Sequence, residues 1–405
     1  MSNFIYGTHP SKWEDVKICT YVICKNELKH VEKWLTYIWN GGKGSDYICV
    51  LDTGSSDGTY EKFIEMVKTL GIPEDRFILS QKTFEQFRFD DARNASLELI
   101  PDEHKIDVCF CVDLDEYVIP DFWEDLRRTV FEHPDFKRIY YKYEQKPGVV
   151  FWYDKIHGVK NWKWKECVHE YLYTEDTNYV EDYNLDADKI YVYHHADRSK
   201  SRKFYISLLK LREKESGGDP YGVYYLGAVL SQEEYNYAEA IPYYEKCILL
   251  LKDKQDGLNT EAMAYLNIGR CYDHLPNSSD LAEYYFKKAI EKSPELGNAY
   301  IDLAQFYVYT AHPELARKTL DDFDKFAVDR PMWYRRPYVW SKWKRCQIIG
   351  GALCWEGKYQ EAMDMFNQGL ADITDDITAA IAQEYGFYND YNWCVNKLKE
   401  LSSNA

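Results

Sequence analysis

Four short apolar runs organise the first 120 residues: VKICTYVIC (16–24), YICVL (47–51), RFIL (76–79) and DVCFCV (107–112). Between them lie stretches with helical spacing. ELKHVEKWLTYIW sets Leu28, Val31, Leu35 and Ile38 on one face. The segment from Thr59 places Phe63, Val67 and Leu70 in register with Gly71 closing it, and FDDARNASLELI (89–100) reads as a third helix. Strand and helix alternating in this way predict a mainly parallel sheet covered by helices on both faces. Ligands of such sheets bind beyond the carboxyl ends of the strands. The polar clusters Lys25-Asn26-Glu27, Asp52 to Thr59 and Asp113 to Glu116 all fall at those ends.

From about residue 205 the pattern becomes helical only, which divides the chain into a unit over 1–204 and a second over 205–405. YNYAEAIPYYEKCI, SDLAEYYFKKAIEKSPE, PELARKTL and GKYQEAMDMFNQGL resemble one another. Their alanines, Ala240, Ala282, Ala316 and Ala362, are spaced 42, 34 and 46 residues apart. The middle spacing is that of a tetratricopeptide unit, with Pro294 where such a repeat commonly ends. Small residues at these positions let paired helices approach, while aromatics fill the gaps; the 37 tyrosines are accounted for chiefly by such packing. RPMWYRRPYVWSKWKR (330–345) breaks the repeat and is both basic and aromatic, an irregular helix or a contact surface.

Composition bounds the function. With 45% hydrophobic and 29% charged residues the chain is of the soluble globular class. No stretch approaches the ~18–20 apolar residues of a membrane span, and the first residues lack a signal-peptide pattern. The eleven cysteines lie mostly in apolar segments, without zinc-knuckle or CxxC spacing, so buried reduced thiols and a cytoplasmic location are expected. A net charge of −17 argues against broad phosphate-backbone binding, although a local basic groove such as 330–345 keeps a nucleic-acid acceptor in view.

CFCVDLDEYV (109–118) delivers Asp113, Asp115 and Glu116 directly after an apolar strand. Unpaired like charges there repel and cost desolvation, so they call for a counter-ion, and a divalent cation is the obvious candidate. In VLDTGSSDGTYEKF (50–63), Gly54 and Gly58 permit tight turns, Asp57 or Thr59 caps the helix that follows, and Asp52 ends the strand. The loop is neither a Walker A nor a GxGxxG sequence.

Taken in order, ICKNE, VLDTGSSDGT, FDDARN and VDLDE resemble the inverting nucleotide-sugar glycosyltransferases of family 2, over roughly residues 15–200. The resemblance implies a GT-A fold. Followed by tetratricopeptide repeats, it is similar to a subgroup that includes bacterial peptide glycosyltransferases. It implies that Asp113 and Asp115, at the DxD positions, hold Mn2+ or Mg2+ against the donor diphosphate. Two oxygens from one short turn can meet a hard cation directly or through water. It implies that Asp52 contacts the nucleoside and that Glu27 lies near the base or ribose. Arg93 then approaches a phosphate or orients the acidic residues, with a plain helix-face salt bridge as the alternative.

WKWKECVHEYLY (162–173) carries a His-Glu step like one found near the acceptor side of related enzymes. His169 is thereby a third metal ligand, and Glu170 the candidate base, a carboxylate whose pKa a partly apolar pocket would raise. Asp115, Glu116 and Asp154 compete for the base role, and the bland reading is a core histidine beside a surface glutamate. In YVYHHADRSKSRKFY (191–205), Arg198, Lys200 and Arg202 either close over the donor diphosphate or are solvated linker charges.

The expected activity is therefore a metal-dependent, inverting transfer from a nucleoside-diphosphate sugar, foremost a UDP-sugar. The acceptor would be a peptide or protein side chain held by the repeats, which could also mediate a homodimer. The alternatives are the same chemistry on a glycan, a lipid-linked sugar or a nucleic-acid base, and a non-catalytic repeat scaffold carrying a degenerate transferase domain.

Overall fold

The computed structural model describes residues 6–102, 105–195, 204–216, 218–252, 254, 259–330 and 336–403. The chain divides into two compact units, one of residues 1–146 with 150–201 and one of residues 202–405 with 147–149.

The first unit opens with β1 (Ile18–Cys24), α1 (Leu28–Trp39), β2 (Tyr47–Asp52), α2 (Thr59–Leu70), β3 (Phe77–Gln81), α3 (Phe89–Leu97) and β4 (Val108–Cys111). The four strands are parallel, in the order β3-β2-β1-β4. Period-2 alternation splits their side chains cleanly between two cores. Ile18, Val22, Ile48, Val50, Val108 and Phe110 join the core beneath α1 and α2, where Val31, Trp34, Leu35, Ile38 and Phe63 are buried. Cys19, Tyr21, Cys49, Cys109 and Cys111 line the other face. Burial on both faces is why these strands read as unbroken apolar runs. All eleven cysteines of the chain are buried.

Beyond β4 the sheet departs from the expected pattern. After β5 (Glu116–Val118) and α4 (Phe122–Glu132), the chain adds β6 (Phe136–Lys146), β7 (Val149–His157), β8 (Trp162–Lys165), β9 (Tyr171–Thr174), β10 (Glu181–Asn184) and β11 (Ile190–His194). β7 runs antiparallel to β4, and the sheet continues β7-β6-β11-β5, with β5 antiparallel to β11. The cysteine face is not covered by helices alone: the antiparallel β8–β9 pair supplies Trp162, Trp164 and Leu172 to it, beside Leu97 of α3.

The second unit is all helix: α5 (Phe204–Ser216), α6 (Pro220–Gln232), α7 (Tyr237–Leu251), α8 (Thr260–Asp273), α9 (Ser279–Lys292), α10 (Gly297–Tyr309), α11 (Pro313–Phe326), α12 (Lys342–Trp355), α13 (Tyr359–Leu370), α14 (Asp376–Glu384) and α15 (Phe387–Ser403). Ala240, Ala282, Ala316 and Ala362 all have zero exposure, one in the second helix of each pair. Four residues on, Tyr244, Phe286, Leu320 and Phe366 fill the gap to the first helix. Three of these rings lie against glycines, since an added Cβ at Gly227, Gly269 or Gly350 would come within 3.0, 2.6 and 3.0 Å of Tyr244, Phe286 and Phe366. The tyrosine pairs divide: Tyr244 is core, whereas Tyr284 is 52% exposed. Among the described residues no helix is long and apolar enough to cross a membrane.

Candidate functional site

Register carries the polar residues to one edge. Cys24 pairs with Asp52, and Asp52 with Gln81, so the carboxyl ends of β1, β2 and β3 stand side by side. The glycine-rich turn after β2 needs its glycines, with φ of 102° at Gly54 and 94° at Gly58. Asp52 is fully buried and organises that turn: one carboxylate oxygen accepts the N–H groups of Gly54 (2.8 Å) and Ser55 (2.7 Å) and the Gln81 amide (3.3 Å). Its other oxygen faces the Cys24 thiol at 3.9 Å. Asp52 thus organises this loop.

The first two strand-end loops are stitched together. The Asn26 N–H donates to Ser55 Oγ and the Ser56 N–H to Asn26 Oδ1, both at 2.8 Å. The Glu27 N–H donates to Thr59 Oγ1 (2.8 Å), and the Glu27 carboxylate lies 3.8 Å from His30 Nε2. Asp57 holds two helix starts at once, accepting from the Thr59 N–H (3.0 Å) and hydroxyl (2.5 Å) and from the Leu28 N–H (3.2 Å). Burial alone would raise its pKa, but these hydrogen bonds outweigh that and lower it.

The acidic triplet finds its counter-ions within the chain. Because β7 is antiparallel to β4, with Cys109 opposite His157 and Phe110 opposite Ile156, the next residue along β7, Lys155, arrives beside Cys111. Lys155 is 4% exposed and donates to Asp113 Oδ2 (2.7 Å) and Glu116 Oε1 (3.0 Å). Arg93 of α3, 5% exposed, donates through Nη2 to both Asp113 oxygens (3.0 and 3.2 Å) and through Nε to Glu170 (2.5 Å). Desolvation alone would raise the Asp113 pKa and lower those of both cations. The mutual attraction overrides it, holding Asp113 well below the usual carboxylate range and both cations above theirs. Burial pushes Glu116 up despite Lys155.

Asp115 lies apart from this cluster, its carboxylate 3.1 Å from His194 Nε2. Desolvation opposes protonation of His194, yet the Asp115 carboxylate raises its pKa. Successive strand residues face opposite ways, so Asp154 points away from Lys155 and pairs instead with Arg138 at 3.0 Å.

The expected metal triad of Asp113, Asp115 and His169 is not assembled. Among the described residues no group of three or more His, Cys, Asp or Glu side chains is arranged to hold a metal ion. His169 is exposed, at the end of a turn with left-handed backbone at Glu166 (φ 77°) and His169 (φ 51°). As arranged, Asp113 is paired with Arg93 and Lys155, and Asp115 with His194. Glu170 is likewise held by the Arg93 guanidinium. Through these bonds Arg93 orients Asp113 and Glu170. Arg198, Lys200 and Arg202 lie outside the described residues.

Sequence reading missed Lys155 and His157. Their signal is a cation and an imidazole inside the otherwise apolar run VVFWYDKIH, where burial demands partners. His157 is fully buried, and because a carbonyl can only accept, its Nδ1 donates to Gly158 O (2.6 Å). Its Nε2 then accepts from the Tyr21 hydroxyl (2.8 Å), which accepts from Trp164 Nε1 (3.0 Å). Burial lowers the His157 pKa to about 3.

The second unit carries a polar spine. Tyr224 of α6 accepts from Asn267 of α8 (2.9 Å), whose amide oxygen accepts from Arg270 (2.9 Å), and Arg270 pairs with Asp302 of α10 (2.6 Å). Gln305 of α10 accepts from Lys344 of α12 (2.9 Å), which also donates to Gln347 (2.9 Å), and Gln347 donates to Asp390 of α15 (2.7 Å).

No family model and no curated protein matches the chain. Among solved structures it is similar to MamA, at 20% identity over 41% of this chain and 80% of that one, TM-score 0.32. It is similar to YrrB, a tetratricopeptide protein with an unusual peptide-binding site, at 14% identity over 45% and 83%, TM-score 0.32. A tetratricopeptide repeat protein from Parabacteroides merdae matches at 10% identity over 47% and 63%, TM-score 0.33. These neighbours are repeat proteins, each matched over under half of this chain, and no comparison upholds the assignment of residues 15–200 to glycosyltransferase family 2. The motifs behind that assignment have another physical use here, in stitching strand-end loops and pairing buried charges.

Proposed function

We propose that the protein is a repeat-based binding protein whose helical unit engages a peptide or protein segment, with the α/β unit as its partner domain. The observation that supports this reading is the polar spine across α6, α8, α10 and α12. Tyr224, Asn267, Lys344 and Gln347 of this spine are buried, so their hydrogen bonds fix the first helices against one another and against α15. Stacking of helix pairs in this way creates the extended concave surfaces that repeat proteins use for binding. The test is selection of displayed peptides on the full chain, followed by Asn267→Ala and Gln347→Ala. Binders that weaken at least about tenfold in either variant support the reading; binders indifferent to both oppose it.

A second reading, transfer from a nucleoside-diphosphate sugar, is favoured by one observation. Glu27, Asp52, Asp113 and Asp115 follow the carboxyl ends of parallel strands β1, β2 and β4, the edge where open α/β sheets take ligands. In this reading Glu170, freed from Arg93, is the base that accepts the acceptor proton, with Glu116 as its competitor. Melting of the full chain with UDP and Mn2+ together, compared with either alone, decides it. Joint stabilisation with donor turnover supports transfer, and neither effect leaves the scaffold.

A further inference from the structure

Two neighbouring helix pairs carry the same tyrosine frame, and only one of them fills it. Tyr265 and Tyr272 of α8 lie about two turns apart on one side of the helix, and they recur 35 residues on as Tyr300 and Tyr307 of α10. Tyr285 of α9 occupies the first frame. Its ring stacks on Tyr272 (5.5 Å between centroids, 17° between planes) and on Tyr265 (6.3 Å, 30°). With Ala282 aligned on Ala316, the place of Tyr285 falls on Thr319 of α11. Thr319 carries no ring, and its hydroxyl turns back to donate to Leu315 O at 2.8 Å. At this place the structure has a cleft of about 370 Å³, lined by Tyr300, Leu303 and Tyr307 of α10, Ile290 of α9, and Leu315 and Thr319 of α11.

Apolar atoms facing an unfilled space forfeit dispersion contacts, and a ligand of matching shape recovers them. The chain's own example next door shows what matches this frame: one aromatic ring. The polar end differs between the two places. Tyr285 bonds through its hydroxyl to the Glu245 carboxylate of α7. The residue aligned with Glu245 is Lys287 of α9, which lines the cleft and donates to Glu283 at 2.6 Å. A carboxylate accepts from a phenol, whereas an ammonium donates to one. We propose that this cleft binds a tyrosine side chain presented by a segment of another protein, its ring against Tyr300 and Tyr307 and its hydroxyl accepting from Lys287. Tyrosine suits the place because it joins an apolar ring to a polar tip. By the helical period, these tyrosines lie on the side of α10 opposite Asp302 and Gln305 of the polar spine. The inference therefore goes beyond the surface proposed above and does not rest on it.

The experiment is saturation-transfer NMR on the full chain. The ring probes are p-cresol, toluene and cyclohexanol; the peptide probes are a capped pentapeptide with tyrosine between glycine pairs and its alanine counterpart. Expected is tighter binding of p-cresol than of toluene, none of cyclohexanol, and binding of the tyrosine peptide alone in competition with p-cresol. Thr319→Tyr supplies the missing ring from the chain itself. It should weaken p-cresol and the tyrosine peptide at least about tenfold and raise the urea midpoint. Leu315→Glu, at a position already 39% exposed, should weaken both comparably. Lys287→Met should remove the preference for p-cresol over toluene while both still bind, and Asn267→Ala should change nothing. Far-UV dichroism and urea midpoints confirm that each variant is folded.

Ring binding equal in the wild type and in folded Thr319→Tyr and Leu315→Glu would overturn the cleft as the site. Cyclohexanol bound as tightly as p-cresol would overturn the aromatic assignment. Binding of p-cresol without the tyrosine peptide would overturn a side chain as the source of the ring. Loss of binding in Asn267→Ala would move the ligand to the spine and overturn the cleft. Self-association of the wild type, abolished by Thr319→Tyr, would make the occupant a second copy of this chain and overturn the foreign partner. No binding of any ring would remove the inference and leave the proposed peptide surface untouched.

Discussion

At the scale of single residues, the buried charges set the strongest expectations. Lys155 neutralises Glu116 and shares Asp113 with Arg93. Lys155→Met should cost about 3–5 kcal/mol, because it strands Glu116 in the interior. Adding Glu116→Gln should recover part of that loss, a coupling read from urea midpoints in a double-mutant cycle. His157 makes a pH prediction. Its folded pKa is about 3 against an ordinary value of 6.5. The unfolded chain therefore takes up a proton that the folded chain declines, and the stability it contributes is lost as pH falls from about 6.5 toward 3. Between pH 7 and pH 5 this amounts to about 2 kcal/mol. His157→Gln should remove that share of the acid sensitivity, and a slope between those pH values equal to the wild type would refute it.

Elements are held by how closely they approach. In each helix pair a buried alanine on the second helix is followed one turn on by a side chain that fills the space to the first, and three of these rings rest on glycine. Gly269 shows the tightest of the three approaches, 2.6 Å between an added Cβ and the Phe286 ring. Gly269→Ala should therefore destabilise by about 1–3 kcal/mol through overpacking, although alanine is the better helix former. A fall in urea midpoint at unchanged slope is the expected result; a rise would mean that the pair has room to separate. In the sheet, the same scale explains the cysteines. Cys19, Cys49, Cys109 and Cys111 occupy the strand positions that face α3 and β8–β9, where small soft side chains meet the tryptophans of that hairpin, whereas Cys24 faces the opposite core.

For the whole molecule, two units with separate cores predict unfolding that is not a single two-state event. Scanning calorimetry of the full chain should show Gly269→Ala shifting one part of the heat-absorption profile and Lys155→Met another. Both substitutions displacing the entire profile equally would show that the units unfold as one.

The sequence by itself determined the elements and their faces. Period-2 and period-3.6 patterns are local, so β1 to β4, α1 to α3 and the alanine-marked helices were legible from it, as was the gathering of polar residues at the strand ends. It did not determine which charge meets which. The counter-ions of Asp113 come from α3, 20 residues earlier, and from β7, 42 residues later. No spacing rule encodes such a pairing; the antiparallel turn of β7 against β4 creates it. The pattern of carboxylates therefore suggested a cation site, whereas tertiary structure answered the same electrostatic need with Lys155, Arg93 and His194. Burial makes every such charge find a partner, but only the folded chain decides whether that partner is its own.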